Sequence, residues 1–237
     1  MKVVRYAKLP LGFDATAAQA ELRASQSQWT PHMNTYHYTG EWDVLPLRAP
    51  GGRPDNPVPE LMGEDAFIDT VYMDSFPSVK TLLASILSPI MSARFLNLKA
   101  GAIIKQHTDM QLAFEQGEAR LHFPVITNPE VEFYCENERI FLNEGECWYL
   151  NANLPHRVSN NGAADRIHLV IDCKVNDWLA SLITSSDKIA YKKEEVDDNL
   201  LNMIKHLRWQ NTAQSNKMAD KFEEKVKRLT AENAGMQ

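Results

Sequence analysis

The sequence predicts a mainly β protein: a double-stranded β-helix, the jelly-roll of cupins, with flanking helices and a C-terminal helical appendage. Three observations predict it. From Ser92 onward, short apolar runs recur with turn residues between them (ARFLNLK, AIIKQH, ARLHFPVI, VEFYC, RIFL, CWYLN, HRVSN and RIHLVIDCKV). Eight closely spaced strands with no helix between them fit an antiparallel sandwich or barrel. Stretches before and after this region carry helical spacing instead. Finally, 237 residues that are 44% hydrophobic and 24% charged can bury a sizeable core without disulfide staples.

The elements follow in order. Val3 to Tyr6 reads as a short strand, and Asp14 caps an Ala-rich helix expected from Ala15 to Gln28. Residues 32–47 alternate aromatic or aliphatic with polar side chains around Gly40, which predicts two strands and a turn. Residues 49–60, APGGRPDNPVPE, form the strongest loop signal, and such loops beside a sheet often border a site. Val79, Leu82, Leu83, Ile86 and Leu87 fall at helical spacing between Pro77 and Pro89. Residues 176–184 predict a short helix. Leu200, Leu201, Ile204 and Leu207, then Phe222, Val226 and Leu229, predict two amphipathic helices. The expected division is a double-stranded β-helix domain over 1–186, N-terminal helices included, and a helical segment over 187–237. An isolated amphipathic helix is marginal in water, so this segment is expected to serve as a lid on the sheet or as a homodimer contact.

Charge and composition exclude several classes. Lys+Arg total 25 against Asp+Glu 31, a net of -6, so there is no global pull toward nucleic acid. No apolar run approaches the ~20 residues of a membrane helix. The opening MKVVRYAKLPLGFD is broken by Arg5 and Lys8 and does not read as a signal peptide. Cys135, Cys147 and Cys173 share no C-x-x-C spacing, and reduced thiols in a cytoplasmic protein are the simplest reading.

The chemistry concentrates between His107 and Arg166. His107 and Asp109 lie two apart at a strand end, so both side chains can share a face and reach one metal ion. His156, in NANLPHRVSN, is the natural third ligand. Two imidazoles and one carboxylate are the set used by non-haem Fe(II) oxygenases. Taken alone, H-x-D is a weak signal. Arg120 and His122 in EARLHFPV also share a strand face, opposite Leu121, Phe123 and Val125. Arg166 and His168 repeat the pattern opposite Ile167, Leu169 and Ile171. An interior arginine needs an anion. That anion is either a dicarboxylate cosubstrate or a structural aspartate such as Asp165 or Asp172.

The ordered run ARFLNLKAGAIIKQHTD, EARLHFPVITN, GECWYLNANLPHRVSN and DRIHLVIDCKV resembles the aspartyl/asparaginyl β-hydroxylase family of Fe(II)- and 2-oxoglutarate-dependent oxygenases, which includes bacterial free-proline hydroxylases. It covers about residues 92–175, and more loosely GEWDVLPLR. The resemblance implies a double-stranded β-helix that binds iron through His107, Asp109 and His156. It implies that Arg166 pairs with the far carboxylate of 2-oxoglutarate, and that Arg120 and His122 contact its other end. It implies a hydroxylase that consumes O2 and 2-oxoglutarate, releases succinate and CO2, and acts on a free amino acid or short peptide without an acid–base pair. Retention of Asp109, which the animal branch replaces by glycine, argues for hydroxylation rather than halogenation. The serine that assists the far-carboxylate arginine is replaced by Leu96, so Arg94 or Asn97 is expected to substitute. Arg48 is a candidate for the substrate carboxylate, and Trp148 and Trp42 are candidates for substrate walls. His32 and His37 read as surface or core histidines. The alternative is a non-redox metal-binding cupin, an isomerase or small-ligand sensor, which would not need Arg166 together with Arg120 and His122.

Overall fold

The computed structural model describes residues 3–55, 66–109, 111–192 and 198–234, with side chains to residue 230. The part of the expected 49–60 loop beyond residue 55 lies outside the described residues.

The chain begins with β1 (Val4–Leu9) and α1 (Ala15–Ala24). Asp14 caps α1 by accepting from the Ala17 N–H at 2.9 Å. The helix ends at Ala24, short of Gln28, because Ser25 turns extended and its hydroxyl accepts from the Ser27 N–H at 3.0 Å. Next come β2 (Thr30–Pro31), β3 (Tyr38–Thr39), β4 (Trp42–Pro50) and β5 (Phe67–Asp69). α2 spans Pro77–Ser85, with Pro77 in its first turn. It stops before Ile86, which is extended, and Leu87 is left exposed.

The eight strands of the core follow: β6 (Ile90–Leu98), β7 (Ile103–His107), β8 (Glu118–Ile126), β9 (Val131–Cys135), β10 (Glu138–Ile140), β11 (Cys147–Leu150), β12 (His156–Asn160) and β13 (Arg166–Lys174). The remainder is α3 (Asp177–Thr184), β14 (Ile189–Tyr191), α4 (Asp198–Gln210) and α5 (Ala213–Ala234).

The larger sheet has the order β14-β1-β11-β8-β13-β6-β4-β2, with β5 on β4; the smaller has β10-β9-β12-β7-β3. The core strands thus weave between the two sheets, β6, β8, β11 and β13 in one and β7, β9, β10 and β12 in the other. This is the double-stranded β-helix. Gly40 separates two strands as the alternation predicts, but β3 and β4 lie in different sheets rather than forming a hairpin. Gly40 adopts φ +81°, and its Cα faces Ala102.

Strand alternation sorts the side chains into two cores. Leu121, Phe123, Val125, Ile167, Leu169 and Ile171 pack outward with Ala18, Val79, Leu82, Leu179 and Ile183 of the helices. Trp42, Val44, Leu96, Leu98, Phe133, Leu142, Trp148 and Val170 fill the space between the sheets. The three cysteines are buried free thiols, and burial pushes each thiol up.

The first compact unit closes at Tyr191, beyond the expected 186, because β14 pairs with β1. The second contains α4 and α5, which are joined by Arg208: its guanidinium meets Asp220 at 2.6 Å and Glu223 at 2.9 Å. No helix among the described residues is long and apolar enough to cross a membrane.

At Gly40 a Cβ would lie 2.8 Å from the Ala102 Cβ and 2.9 Å from its Cα. Gly40→Ala adds this clash to a left-handed backbone and should cost about 2 kcal/mol. Urea denaturation measures it; an unchanged midpoint would show that the turn relaxes freely.

Candidate active site

The centre of the site forms where β7 ends and β12 begins. His107 and His156 are cross-strand partners in the antiparallel register, with ring centroids 4.2 Å apart. Each ring is oriented by its own strand: His107 Nδ1 lies 2.8 Å from the Lys105 carbonyl, and His156 Nδ1 lies 2.9 Å from the Leu154 carbonyl. A carbonyl only accepts, so both rings carry the proton on Nδ1 and present the Nε2 lone pair. Asp109 lies just past the end of β7 rather than within it; its N–H donates to the Ala152 carbonyl at 2.8 Å. Its carboxylate comes within 3.7 Å of His107 Nε2. One donor atom from each of His107, Asp109 and His156 falls within 4.8 Å of the other two, so the three can hold a metal ion together.

Electrostatics favour metal-ready protonation states. Burial, then His107, lowers His156 to about 4, so the imidazole is neutral at physiological pH. Burial alone would raise Asp109, but Arg120 and the two imidazoles outweigh it and hold the carboxyl below its usual range. The donor set is two imidazole nitrogens and a carboxylate, which suits a divalent transition metal with open positions.

Beneath Asp109 lies a buried ionic cluster. Arg120 bridges two carboxylates: it pairs with Asp109 and also donates from Nε to Asp172 Oδ1 at 2.8 Å and from Nη2 to Oδ2 at 3.1 Å. Arg94 Nη1 reaches Asp172 Oδ2 at 3.0 Å and Ser92 Oγ at 2.6 Å, and Ser92 Oγ donates to the same carboxylate oxygen at 3.0 Å. Burial would raise Asp172, but Arg120 and Arg94 hold it well below the carboxylate range.

Deeper between the sheets, His122 and His168 lie with ring centroids 5.8 Å apart. Burial and neighbouring Arg166 hold both imidazoles well below their usual range. Arg166 is buried, and desolvation pulls it down to about 9, still protonated at neutral pH. Among the described residues it has no carboxylate partner. Asp165 is taken by Lys99 at 2.8 Å and Asn97 at 3.1 Å, and Asp172 by Arg94 and Arg120. The structural-bridge alternative for Arg166 therefore fails. Its Nη2 meets His168 Nδ1 at 2.7 Å, and its Nε is buried without a hydrogen-bond partner. Arg166 and His168 open onto a cavity of about 410 Å³ walled by Val131, Phe133, Ile140 and Leu142. Phe133 also stacks parallel to His156, with centroids 6.4 Å apart, so one aromatic ring connects the cavity wall to the metal end.

Two expectations from the sequence need correction, and one segment was undervalued. Neither Arg94 nor Asn97 stands in for the serine absent at Leu96: Arg94 engages Asp172 and Ser92, while Asn97 donates to Asp165. The polar group beside Arg166 is His168. Arg120, expected as a cosubstrate contact, spans Asp109 and Asp172. Arg48 pairs with Asp69 at 2.7 Å, beside a depression lined by Lys80, Leu83, Ser88 and Ile90. Trp148 is buried between the sheets and donates to Glu146 at 2.8 Å. The segment that reaches the triad is 32–42. His37 packs 5.0 Å from His107, and His32 stacks on Trp42 at 3.6 Å. Burial, then Arg94, lowers His32 to about 4. The aromatic density of that segment was the available signal.

Comparison with known proteins agrees. The sequence profile of the family described as Aspartyl/Asparaginyl beta-hydroxylase matches residues 14–175. That span is most of the chain and contains all three candidate ligands, and the protein belongs to this family. The chain is 25% identical over 168 residues to an L-proline cis-4-hydroxylase of Rhizobium meliloti (strain 1021). The match covers 67% of this chain and spans 59% of the relative's length. Among solved structures, a 2OG-Fe(II) oxygenase family oxidoreductase from Burkholderia pseudomallei aligns with TM-score 0.44 and 15% identity, over 72% of this chain and 86% of that one. A prolyl-4-hydroxylase from Pseudomonas putida aligns with TM-score 0.44 and 11% identity, over 73% of this chain and 94% of that one.

Asp172 is the shared anion of two buried guanidinium groups. Asp172→Asn leaves them short of a negative charge and should cost about 3–5 kcal/mol. The folded-state value lies below the unfolded one, so Asp172's contribution is full above about pH 4 and lost as pH falls further. Denaturation across pH 2–7 tests this: the wild type should lose this increment in acid, and the variant should already lack it at pH 7. Equal stability at pH 7 would show that the arginines find other anions.

Proposed function

We propose that this protein is an Fe(II)- and 2-oxoglutarate-dependent dioxygenase that hydroxylates an amino acid. The observation that carries the reading is Arg166: a buried, charged guanidinium without a carboxylate partner, facing a cavity whose wall adjoins the metal triad. A buried cation in this state calls for a small anion. A dicarboxylate long enough to run from the triad to Arg166 satisfies it, and 2-oxoglutarate is the dicarboxylate used by this family. A cupin isomerase or sensor would need the triad but not this arginine.

In this reading His107, Asp109 and His156 hold Fe(II), with Lys105 and Leu154 fixing the two ring tautomers. Arg166 fixes the far carboxylate of the cosubstrate. Arg120 and His122 stand at its metal end, and Arg120 also orients Asp109. With O2, iron and cosubstrate bound, the metal supplies the oxidising step that turns a substrate C–H into C–OH, with release of succinate and CO2. The apolar walls exclude water, and no side chain need move a proton for the hydroxylation. The aromatic rim of His32, His37, Tyr38 and Trp42 borders the triad and is the surface that meets substrate. The relation to an L-proline hydroxylase supports a small free amino acid, and proline heads the panel to be tried.

Anaerobic addition of Fe(II) and 2-oxoglutarate should produce a visible charge-transfer band, and succinate release should depend on one member of an amino-acid and short-peptide panel. His156→Ala should lose iron stoichiometry and turnover together. Arg166→Lys keeps charge but loses the planar fork. It should weaken 2-oxoglutarate by about 2 kcal/mol. Unchanged cosubstrate affinity in that variant would sink the assignment.

A further inference from the structure

We propose that His168 is the second ligand of the cosubstrate's far carboxylate. In this role its Nε2–H donates beside the Arg166 guanidinium, in place of the serine that this chain lacks at Leu96. The inference rests on the reading of 2-oxoglutarate as cosubstrate and deepens it.

Register provides the first argument. β13 and β6 are antiparallel neighbours, and His168 is the direct partner of Leu96. Both point between the sheets, so an imidazole on β13 reaches the space that a hydroxyl at residue 96 would address from β6. The longer side chain comes from the opposite strand and compensates for an aliphatic one that offers no donor.

Hydrogen-bond chemistry provides the second. Arg166 Nη2 lies 2.7 Å from His168 Nδ1. A guanidinium can only donate, so Nδ1 accepts and the single proton of the neutral ring sits on Nε2. Burial and Arg166 keep the ring neutral, which preserves this tautomer. One edge of the imidazole thus steers Arg166, and the other edge is a donor with no acceptor side chain among the described residues.

Location provides the third. Arg166 and His168 line the same cavity, whose inner walls, Val131, Phe133, Ile140 and Leu142, are apolar. A pocket of this kind takes its specificity from a few convergent polar groups. Here a cation and a neutral donor converge, which matches the two oxygens of one carboxylate, and the acid in the lining, Glu144, is engaged by Gln19 and the Thr127 N–H. 2-Oxopentanoate is the same oxoacid with a methyl in place of the far carboxylate, so it lacks the group that Arg166 and His168 would hold.

That contrast is the test. Binding of 2-oxoglutarate and of 2-oxopentanoate to the Mn(II)-loaded full-length protein is measured by calorimetry. His168→Leu should weaken 2-oxoglutarate by about tenfold to a hundredfold, as expected for a hydrogen bond to a charged group, and leave 2-oxopentanoate unchanged. Adding Leu96→Ser to that variant should recover part of the loss; no recovery would overturn the equivalence with the serine. Equal weakening of both ligands, or of neither, would overturn the assignment and leave His168 a structural neighbour of Arg166. A wild-type protein that does not prefer 2-oxoglutarate to 2-oxopentanoate would instead overturn the cosubstrate reading itself. The ¹⁵N resonance of His168 Nε2 in the Zn(II)-loaded wild type separates a direct ligand from a residue that only steers Arg166, and it needs no variant. It should shift with 2-oxoglutarate but not with 2-oxopentanoate, and a signal that ignores both overturns the proposal.

Discussion

Charge buried between two β-sheets is the constraint on which the site depends. An ion taken from water into such an interior costs several kcal/mol unless partners replace its hydration. In this protein the inner face of β8 and β13 carries Arg120, His122, Arg166, His168 and Asp172, all buried. Near the triad the charges neutralise one another: Asp172 serves Arg94 and Arg120, and Arg120 reaches on to Asp109. Farther along, the same strand face holds Arg166 with only a neutral imidazole beside it. The interior is thus electrically complete at one level and incomplete at another. The incomplete level is where the proposed function puts the far carboxylate of the cosubstrate.

Strand periodicity makes this separation affordable in a small fold. Every second residue of β8 and β13 is committed to the outer core, where Leu121, Phe123, Leu169 and Ile171 pack under the helices. The intervening positions are released for polar work, and the outer core supplies the apolar burial that holds the sheet together. Cross-strand register then stacks the inward-facing positions into layers: Asp172 opposite Arg120, Val170 opposite His122, and His168 opposite Leu96. Layers a few residues apart separate the triad and its ionic cluster from Arg166, without any loop having to place them.

Much of this was legible in the sequence, for physical reasons. The alternation in EARLHFPV and DRIHLVID encodes which face is polar, and the short spaced runs encode the jelly-roll. The triad was legible only as a combination, because H-x-D alone is common; the register of His156 against His107 is a long-range property that no local pattern carries. The Arg94–Asp172 pair was hidden for the same reason, being 78 residues apart in sequence. The ends of α1 and α2 were misplaced where serine side chains bond to local backbone groups and compete with the helix. Gly40 was read as a turn between two strands, a pattern that cannot tell a hairpin from a crossing between sheets.

That crossing explains why the aromatic segment reaches the site at all. β3 pairs with β7, the strand that ends in His107, while β4 lies beside β6 in the other sheet. The left-handed turn at Gly40 joins them across the open edge of the sandwich. The residues before it are thereby carried over the mouth of the triad, with His37 against His107 and His32 on Trp42. His32, kept neutral by burial, presents a flat aromatic face there. Flat, neutral surfaces favour a compact apolar ring or chain over an extended charged one. In the proposed reading the chemistry at the mouth complements that at the base: shape and apolar contact select at one end, and charge with directed donors selects at the other.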